Sequence, residues 1–207
     1  SVREEAAVEL LTQLTDKNVE LVLDPTLLLT EEEWSKVCEG KCPKEEYVFC
    51  YFLGGQENQR KLAEEFAKEK GCQLLTVPYL GGRYRKVDKN FKSVKINDVS
   101  PGRFISFIKN AKYVFTDSFH ASVFSHIFHK DFFVFLSGEI KNTGCRLYTL
   151  TDMFGTRERV CDTAEKKNIC YLLSLPPIDY NNKDFSKYNE LKNASIDFLK
   201  KNIQHID

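Results

Sequence analysis

The sequence predicts an α/β fold, in which a Rossmann-like parallel sheet carries helices on both faces. From residue 46 onward, apolar runs of strand length alternate with segments that have the hydrophobic periodicity of amphipathic helices. The strand runs are apolar throughout, as expected of strands that are covered on both faces. Because alternating strands and helices joined by short turns form right-handed crossovers, the strands are expected to run parallel.

The individual elements follow from apolar runs and from helix start and stop signals. Apolar runs predict strands at 46–53, 73–77, 112–116, 132–136 and 159–161, with shorter ones at 21–24 and near 91–96. Amphipathic spacing predicts helices at 5–14, 57–70, from 101 onward, 118–128, 145–154, 163–174 and 185–203. Pro101 marks a helix start, while Gly71 and Gly155 mark helix ends. Residues 79–100 have little periodicity and are predicted to be mostly loop.

Length, composition and charge restrict the class of protein. The chain has 207 residues, of which 42% are hydrophobic and 29% charged, as in an ordinary globular protein. We expect residues 1–207 to form a single Rossmann-like domain that ends in the amphipathic helix at 185–203. Thirty basic residues balance thirty acidic ones, which argues against a nucleic-acid or membrane partner held by bulk charge. No apolar run approaches the ~20 residues of a bilayer span.

The cysteines predict reduced thiols. Seven cysteines, an odd number, are spread along a chain too long to need disulfide staples, which favours a cytoplasmic location. Cys38 and Cys42 have ligand-like spacing, but no second cysteine pair or histidine is close to them in sequence. His126 and His129 are three residues apart on an apolar stretch. We therefore expect isolated thiols and no metal site.

The segment from Thr116 to His120 is the sharpest candidate for a functional site. A predicted strand ends at Thr116, and Asp117 or Ser118 caps the helix that follows, so His120 falls in the first helical turn. Ligands in parallel α/β sheets collect beyond the carboxyl ends of the strands, where helix N-termini attract anions. A histidine there can donate a hydrogen bond or a proton to an anion. The spacing fits a buried, hydrogen-bonded imidazole equally well.

Further candidates follow other predicted strands. Arg146 opens a helix, where its charge opposes the helix dipole, so it is expected to bind an anionic ligand or a nearby carboxylate such as Glu139. Asp24 ends the short strand before Pro25, where it braces the turn or contacts ligand. Gly54 and Gly55 permit a close approach of phosphate to the backbone. The basic segment 81–86 is a solvated loop or a flap that contacts sugar or phosphate.

Taken together, these segments resemble the polysaccharide pyruvyl transferase family. The resemblance rests on the opening SVRE at 1–4, VLDPTLLL at 22–29 followed by Trp34, TDSFHASVFS at 116–125, FFVF at 132–135, CRL at 145–147 and the final amphipathic helix. The family moves an enolpyruvyl unit from phosphoenolpyruvate onto two hydroxyls of a sugar, which makes a pyruvate ketal. The resemblance therefore implies a small anionic donor as co-substrate, a sugar acceptor from a surface polysaccharide precursor, and no cofactor.

The resemblance also implies roles for particular residues. His120 would be the acid or the phosphate-facing donor, and Arg3 and Arg146 would hold the anion. Asp117 would orient His120 or activate the acceptor hydroxyl. Ser118 and Asp24 complete the expected substrate-binding set.

The resemblance covers the C-terminal half of the family. Full members resemble two-domain GT-B enzymes, so the expected partners include an N-terminal domain across the cleft, and the isolated chain is expected to be inactive. In the better-characterised branch of the family, the position of Ser118 is commonly Arg. Either Arg3, Arg146 or a residue of the other domain takes that role, or the donor differs. Two alternatives stay open: a GT-B glycosyltransferase that uses a nucleotide-sugar, and a non-catalytic carbohydrate-binding module.

Overall fold

The computed structural model describes residues 1–78, 85–136, 143–162 and 168–203. The strands are β1 (Tyr47–Tyr51), β2 (Gln73–Thr76), β3 (Val94–Lys95), β4 (Tyr113–Thr116), β5 (Asp131–Phe135) and β6 (Val160–Cys161). The helices are α1 (Glu5–Thr12), α2 (Glu31–Ser35), α3 (Glu57–Glu69), α4 (Lys86–Asn90), α5 (Pro101–Asn110), α6 (Phe119–Ile127), α7 (Thr143–Met153), α8 (Ile169–Ser174) and α9 (Ser186–Ile203).

The six strands form one parallel sheet in the order β3-β2-β1-β4-β5-β6. From β1 the chain adds β2 and then β3 toward one edge of the sheet. It then returns to place β4 on the other side of β1 and adds β5 and β6 toward the opposite edge. In register, Phe49 of β1 lies beside Val114 of β4. This order confirms the predicted Rossmann-like fold, and it puts the topological switch point between β1 and β4, where such sheets bind ligands.

Alternate side chains of the five strands other than β3 enter two separate cores, one on each face of the sheet. Val114 joins the face covered by α5, α6 and α7, whereas its neighbour Phe115 joins the face covered by α3 and α8. On the second face, Phe66 of α3 packs with its ring centroid 5.0 Å from that of Phe115. The helices therefore cover both faces, as the continuous apolar strands predict.

Helix α9 packs across one end of this assembly. Tyr188 of α9 lies with its ring centroid 5.0 Å from that of Phe154, and both belong to a third apolar cluster together with Leu23 and Leu27. The expected final helix is thus present and covers the segment that contains Asp24. In the described parts of the chain, no helix is long and apolar enough to cross a membrane.

The segment at 21–24 differs from the prediction. Instead of a strand, it makes a single parallel bridge, in which Val2 donates to the Glu20 carbonyl at 2.9 Å and Val22 donates to the Val2 carbonyl at 2.8 Å. Asp24 then begins a 3₁₀ turn, Pro25–Leu28. The proline is suited to the start of such a turn and cannot extend a ladder, so the apolar run ends without joining the sheet.

Within the predicted loop at 79–100, the described residues 85–100 also differ, because they contain helix α4, which is too short to show periodicity. The positions of the predicted stops are confirmed, since Gly71 and Gly155 adopt φ values of 64° and 60°. Several predictions concern residues outside the described parts. They are Glu139, residues 81–84 of the basic segment and 163–167 of one helix.

Candidate functional site

The carboxyl edge of the sheet presents His120 to solvent. Of the two predicted caps, Asp117 and Ser118, the N-cap of α6 is Ser118, whose Oγ accepts a hydrogen bond from the Ala121 amide at 3.5 Å. Thr116 Oγ1 accepts from the Ser118 amide at 3.0 Å and donates to the Tyr51 carbonyl at 2.6 Å, which joins the ends of β4 and β1. His120 therefore lies in the first turn of α6, with 56% of its side chain exposed.

Asp24 brings His120 and Arg3 together. The bridge between Val2 and Leu21 aligns the first residues with this segment, and Arg3 Nη1 forms an ion pair with Asp24 Oδ2. His120 Nε2 lies 3.5 Å from the same Asp24 oxygen. The other carboxylate oxygen, Oδ1, accepts from the Thr26 amide at 3.0 Å. Two residues distant in sequence, Arg3 and His120, thus converge on the Asp24 carboxylate, whose side chain is 4% exposed.

The hydrogen-bond partners of Asp24 stabilise its ionised form. Burial alone would raise its pKa, but hydrogen bonds from His120, Thr26 and Arg3 outweigh burial and keep the pKa of Asp24 well below its usual range. The carboxylate is therefore ionised at any working pH. An ionised Asp24 orients the imidazole and the guanidinium toward the same point on the sheet edge.

Arg146 lies at the same rim. Its Nε is 3.4 Å from Glu4 Oε1, and its guanidinium carbon lies 5.3 Å from the ring centroid of Phe119, the neighbour of His120. Arg146, Glu4, Arg3 and Asp24 line one pocket, whose floor is apolar and includes Leu23, Leu27, Leu150 and Leu191. The structure therefore brings together four of the six sequence-predicted site residues, and it pairs Arg146 with Glu4.

Asp117 contacts the turn that follows β1. Its Oδ1 accepts from the Leu53 amide at 2.6 Å and its Oδ2 from the Gly54 amide at 2.8 Å, so it braces the turn after β1. Burial raises the pKa of Asp117, and these two backbone donors oppose that rise. The carboxylate that orients His120 is Asp24, not Asp117, because Asp117 is committed to the neighbouring turn.

The same turn explains Gly54. A Cβ atom there would lie 2.9 Å from Asp117 Oδ2 and 2.1 Å from Gln56 Oε1, too close for any other residue. The glycine therefore permits Asp117 to approach the backbone. The space beside Gly54 is filled by this chain's own carboxylate, that of Asp117.

Sequence reasoning missed Arg60, which completes this turn from α3. Arg60 is 2% exposed, and it donates to the Gln56 carbonyl at 2.9 Å, the Gly54 carbonyl at 3.1 Å and Asp88 Oδ1 at 2.9 Å. A signal was present, because Arg60 precedes Ala63 and Ala67 by three and seven residues and so falls on the apolar side of α3. A charged residue on such a side needs a buried partner, here Asp88.

The site has the chemistry of anion binding and proton transfer. Arg3 and Arg146 are cations at the rim of one pocket, and His120 is an exposed imidazole beside them. Among the described residues, no group of three or more His, Cys, Asp or Glu side chains could hold a metal ion. The arrangement can orient an anion by charge-assisted hydrogen bonds and give or take a proton.

The fold and site define a Rossmann-like domain of the GT-B type, with polar side chains gathered at the carboxyl edge of its sheet. The chain belongs to the polysaccharide pyruvyl transferase family, whose family model matches residues 1–138. Arg146 and the whole of α9 lie beyond that match. The comparison with curated proteins gave no significant match.

Two solved structures are similar in fold. One is Methanocaldococcus jannaschii UDP-GlcNAc 2-epimerase in complex with UDP-GlcNAc and UDP, with a TM-score of 0.58 and 14% identity over 95% of this chain and 59% of that chain. Another structure of the UDP-GlcNAc 2-epimerase from that organism has a TM-score of 0.49 and 14% identity over 79% of this chain and 48% of that chain. The chain thus spans about half to three-fifths of these proteins, and at this identity the likeness concerns the fold alone.

Proposed function

We propose that this chain provides the phosphoenolpyruvate side of a pyruvyl transferase site, which acts on a sugar of a surface polysaccharide precursor. The observation that carries the proposal is the shared Asp24 carboxylate, which holds Arg3 and His120 together at the rim where Arg146 also lies. Membership of the pyruvyl transferase family supports it. Phosphoenolpyruvate is a trianion, so its binding needs cations, and Arg3 and Arg146 lie at this rim. Its methylene carbon needs a proton donor, a role that we propose for His120.

In the proposed reaction His120 is the acid. Its proton forms a C–H bond at the methylene carbon, which becomes a methyl group and leaves an oxocarbenium-like centre at the neighbouring carbon. One sugar hydroxyl forms a C–O bond to that centre, phosphate leaves as its own C–O bond breaks, and the second hydroxyl closes the ketal. Of the two hydroxyl protons, one returns to His120 and the other leaves with phosphate. Asp24 stabilises the protonated imidazole throughout.

In the proposal, Arg3 and Arg146 neutralise the negative charge of the donor. Arg3 and Arg146 bind the carboxylate and phosphate of the donor, and an arginine contact is strongest with such planar or tetrahedral anions. To do so Arg146 exchanges Glu4 for the ligand, which is feasible because its Nε is already 3.4 Å from that carboxylate and is not closely bonded. Ser118 adds no charge of its own and contributes the N-terminus of α6.

The proposal includes a second domain. In GT-B enzymes the active site lies in a cleft between two Rossmann-like domains, so we propose that the sugar acceptor approaches the carboxyl edge from an N-terminal domain. The present chain would then bind the donor and remain inactive alone. Turnover by residues 1–207 in isolation would contradict this two-domain arrangement.

The test uses the full-length protein, phosphoenolpyruvate and a panel of sugar acceptors in D₂O. Transfer should release phosphate, seen by ³¹P NMR, and form a ketal methyl group that carries one deuterium, because the acid delivers a solvent-derived proton. Thermal shifts with phosphoenolpyruvate, UDP-sugars and GDP-sugars should be largest with phosphoenolpyruvate. A larger shift with a nucleotide-sugar, without phosphate release from phosphoenolpyruvate, would overturn the proposal in favour of a glycosyltransferase.

A further inference from the structure

The C-terminal helix α9 is bonded to both ends of the segment that contains Asp24. The Leu23 amide, directly before Asp24, donates to Ser195 Oγ at 2.8 Å, although the two residues are 172 positions apart. The hydroxyl of Tyr188 donates to the Leu27 carbonyl at 2.8 Å, one turn after Asp24. Two side chains of one helix therefore fix the backbone on either side of the carboxylate.

This segment needs an external support because it does not belong to the sheet. Among the described residues its ladder contact is the single bridge at Leu21, and Leu23 is 8% exposed, so the Leu23 amide needs a partner within the protein. Ser195 supplies that partner. Ser195 is the buried residue of α9, with 1% of its surface exposed. Its own hydroxyl donates to the Leu191 carbonyl at 2.6 Å.

We infer that α9 is a positioning element of the candidate site, in which Tyr188 and Ser195 set the place of Asp24 and thereby the geometry of His120 and Arg3. The inference rests on the proposed function for its catalytic consequence and extends it to a part of the chain outside the family match, which ends at residue 138. The hydrogen bonds of Tyr188 and Ser195 go to the backbone of Leu27 and Leu23. They act through the backbone that carries Asp24.

Movement of the segment that contains Asp24 would change the distances from its carboxylate to His120 and Arg3. Asp24 Oδ2 faces both His120 Nε2 and Arg3, so a displacement of the segment moves the carboxylate away from both at once. A misplacement of about 1 Å at reacting groups costs on the order of 10²-fold in rate. Loss of one of the two supports should therefore reduce the rate more than it reduces donor binding.

A matched pair of hydroxyl deletions tests this. Tyr188→Phe keeps the ring that packs on Phe154 and removes the bond to Leu27. Tyr180→Phe is the control, since its buried hydroxyl likewise donates to a backbone carbonyl, that of Lys130 at 2.9 Å, beside the start of β5 and away from the carboxyl edge. Both variants should melt at similarly lowered temperatures. Only Tyr188→Phe should lower kcat, by about tenfold, with a smaller rise in KM for phosphoenolpyruvate.

A second readout is independent of the reaction. In protein labelled with ¹³C at histidine, the ring signals of His120 should shift in Tyr188→Phe and in Ser195→Ala and stay in place in Tyr180→Phe. The amide of Leu23 should exchange with deuterium faster in Ser195→Ala. If the wild-type protein neither binds nor turns over phosphoenolpyruvate, the proposed function fails, but the His120 signals still decide the inference. Equal effects of Tyr188→Phe and Tyr180→Phe on the His120 signals would overturn it.

Discussion

Asp24 lies 3.5 Å from Nε2 of His120 and is at the same time the ion-pair partner of Arg3. One carboxylate therefore couples the proposed acid to a proposed anion-binding cation. The carboxylate itself is almost fully buried, whereas the imidazole and the guanidinium are exposed, at 56% and 41% of their side chains. The negative charge is thus buried, and the two groups that would meet a ligand are open to solvent.

The first prediction concerns that carboxylate. Asp24→Asn keeps the shape of the side chain and an acceptor for the Thr26 amide, but it removes the charge that faces His120 and Arg3. We expect kcat/KM for phosphoenolpyruvate to fall about 10²-fold, because the acid and the cation lose their common partner. Steady-state phosphate release by the full-length protein measures this. Asp152→Asn on α7, which breaks an exposed ion pair with Arg157, is the control and should leave the rate unchanged.

The second prediction concerns His120. His120→Gln should lower phosphate release by about 10² to 10⁴-fold, the usual contribution of a general acid, while the melting temperature stays within a degree or so because the side chain is mostly exposed. His129→Asn is the matched control. His129 has a φ of 50°, a conformation that asparagine tolerates, and it packs against Tyr180 instead of the site. Retained turnover in His120→Gln would remove this imidazole from the mechanism.

The third prediction compares two arginines that have similar surroundings. Arg146 lies over the ring of Phe119 and beside Glu4, and Arg157 lies over the ring of Tyr148 and 2.9 Å from Asp152. Arg146→Ala should raise KM for phosphoenolpyruvate by about 10- to 100-fold, as expected for a lost charge-assisted hydrogen bond. Arg157→Ala removes the same kind of contact away from the pocket and should leave KM as it is. Titration calorimetry with phosphoenolpyruvate would show whether the two variants differ.

The sequence was sufficient for local features of the fold and site. The apolar runs located five of the six strands to within about two residues because a doubly covered strand has no polar face to confuse the pattern. The cap was narrowed to Asp117 or Ser118, and His120 was placed in the first turn, because capping depends on residues within one helical turn. Strands and helix caps depend on contacts between residues close in the chain, so the local sequence pattern is enough to predict them.

Long-range partners were not predictable in the same way. Asp117 and Asp24 both follow apolar runs, and nothing in the local pattern says that Asp24 meets His120 while Asp117 braces Gly54. That choice depends on the bridge between Val2 and Leu21 and on support from α9, contacts between residues far apart in the chain. Helix α4 was missed for a related reason, since its stability comes from the buried contact of Asp88 with Arg60 and not from periodicity.

The fourth prediction concerns that buried pair. Asp88→Ala leaves the guanidinium of Arg60, which is 2% exposed, without its counter-charge, so we expect a loss of about 3 to 5 kcal/mol in the free energy of unfolding. Glu57→Ala breaks the exposed pair with Lys61 on the same helix and should cost no more than about 0.5 kcal/mol. Urea unfolding measures both. Equal costs would mean that the turn at Gly54 does not depend on the Arg60–Asp88 pair.

The last prediction concerns pH and His126, the histidine that the fold buries completely. Its Nδ1–H donates to the Ser122 carbonyl at 2.8 Å, since a carbonyl can only accept, and its Nε2 therefore accepts from Thr156 Oγ1 at 2.9 Å. Burial lowers the pKa of His126 from 6.5 to about 3. The neutral imidazole is thus part of the folded state, and a protonated one is not.

Between pH 6.5 and about 3 the unfolded chain binds a proton at His126 that the folded protein does not bind. The contribution of this residue to stability is therefore complete above pH 6.5 and is lost as the pH falls, by about 1.4 kcal/mol per pH unit, or about 2 kcal/mol at pH 5. Urea unfolding of wild type and His126→Gln at pH 7.5, 6 and 5 measures this. The variant should be less stable at pH 7.5, and the gap should narrow at pH 5, because glutamine has no proton to gain. Parallel losses in the two proteins would mean that His126 does not set this pH dependence.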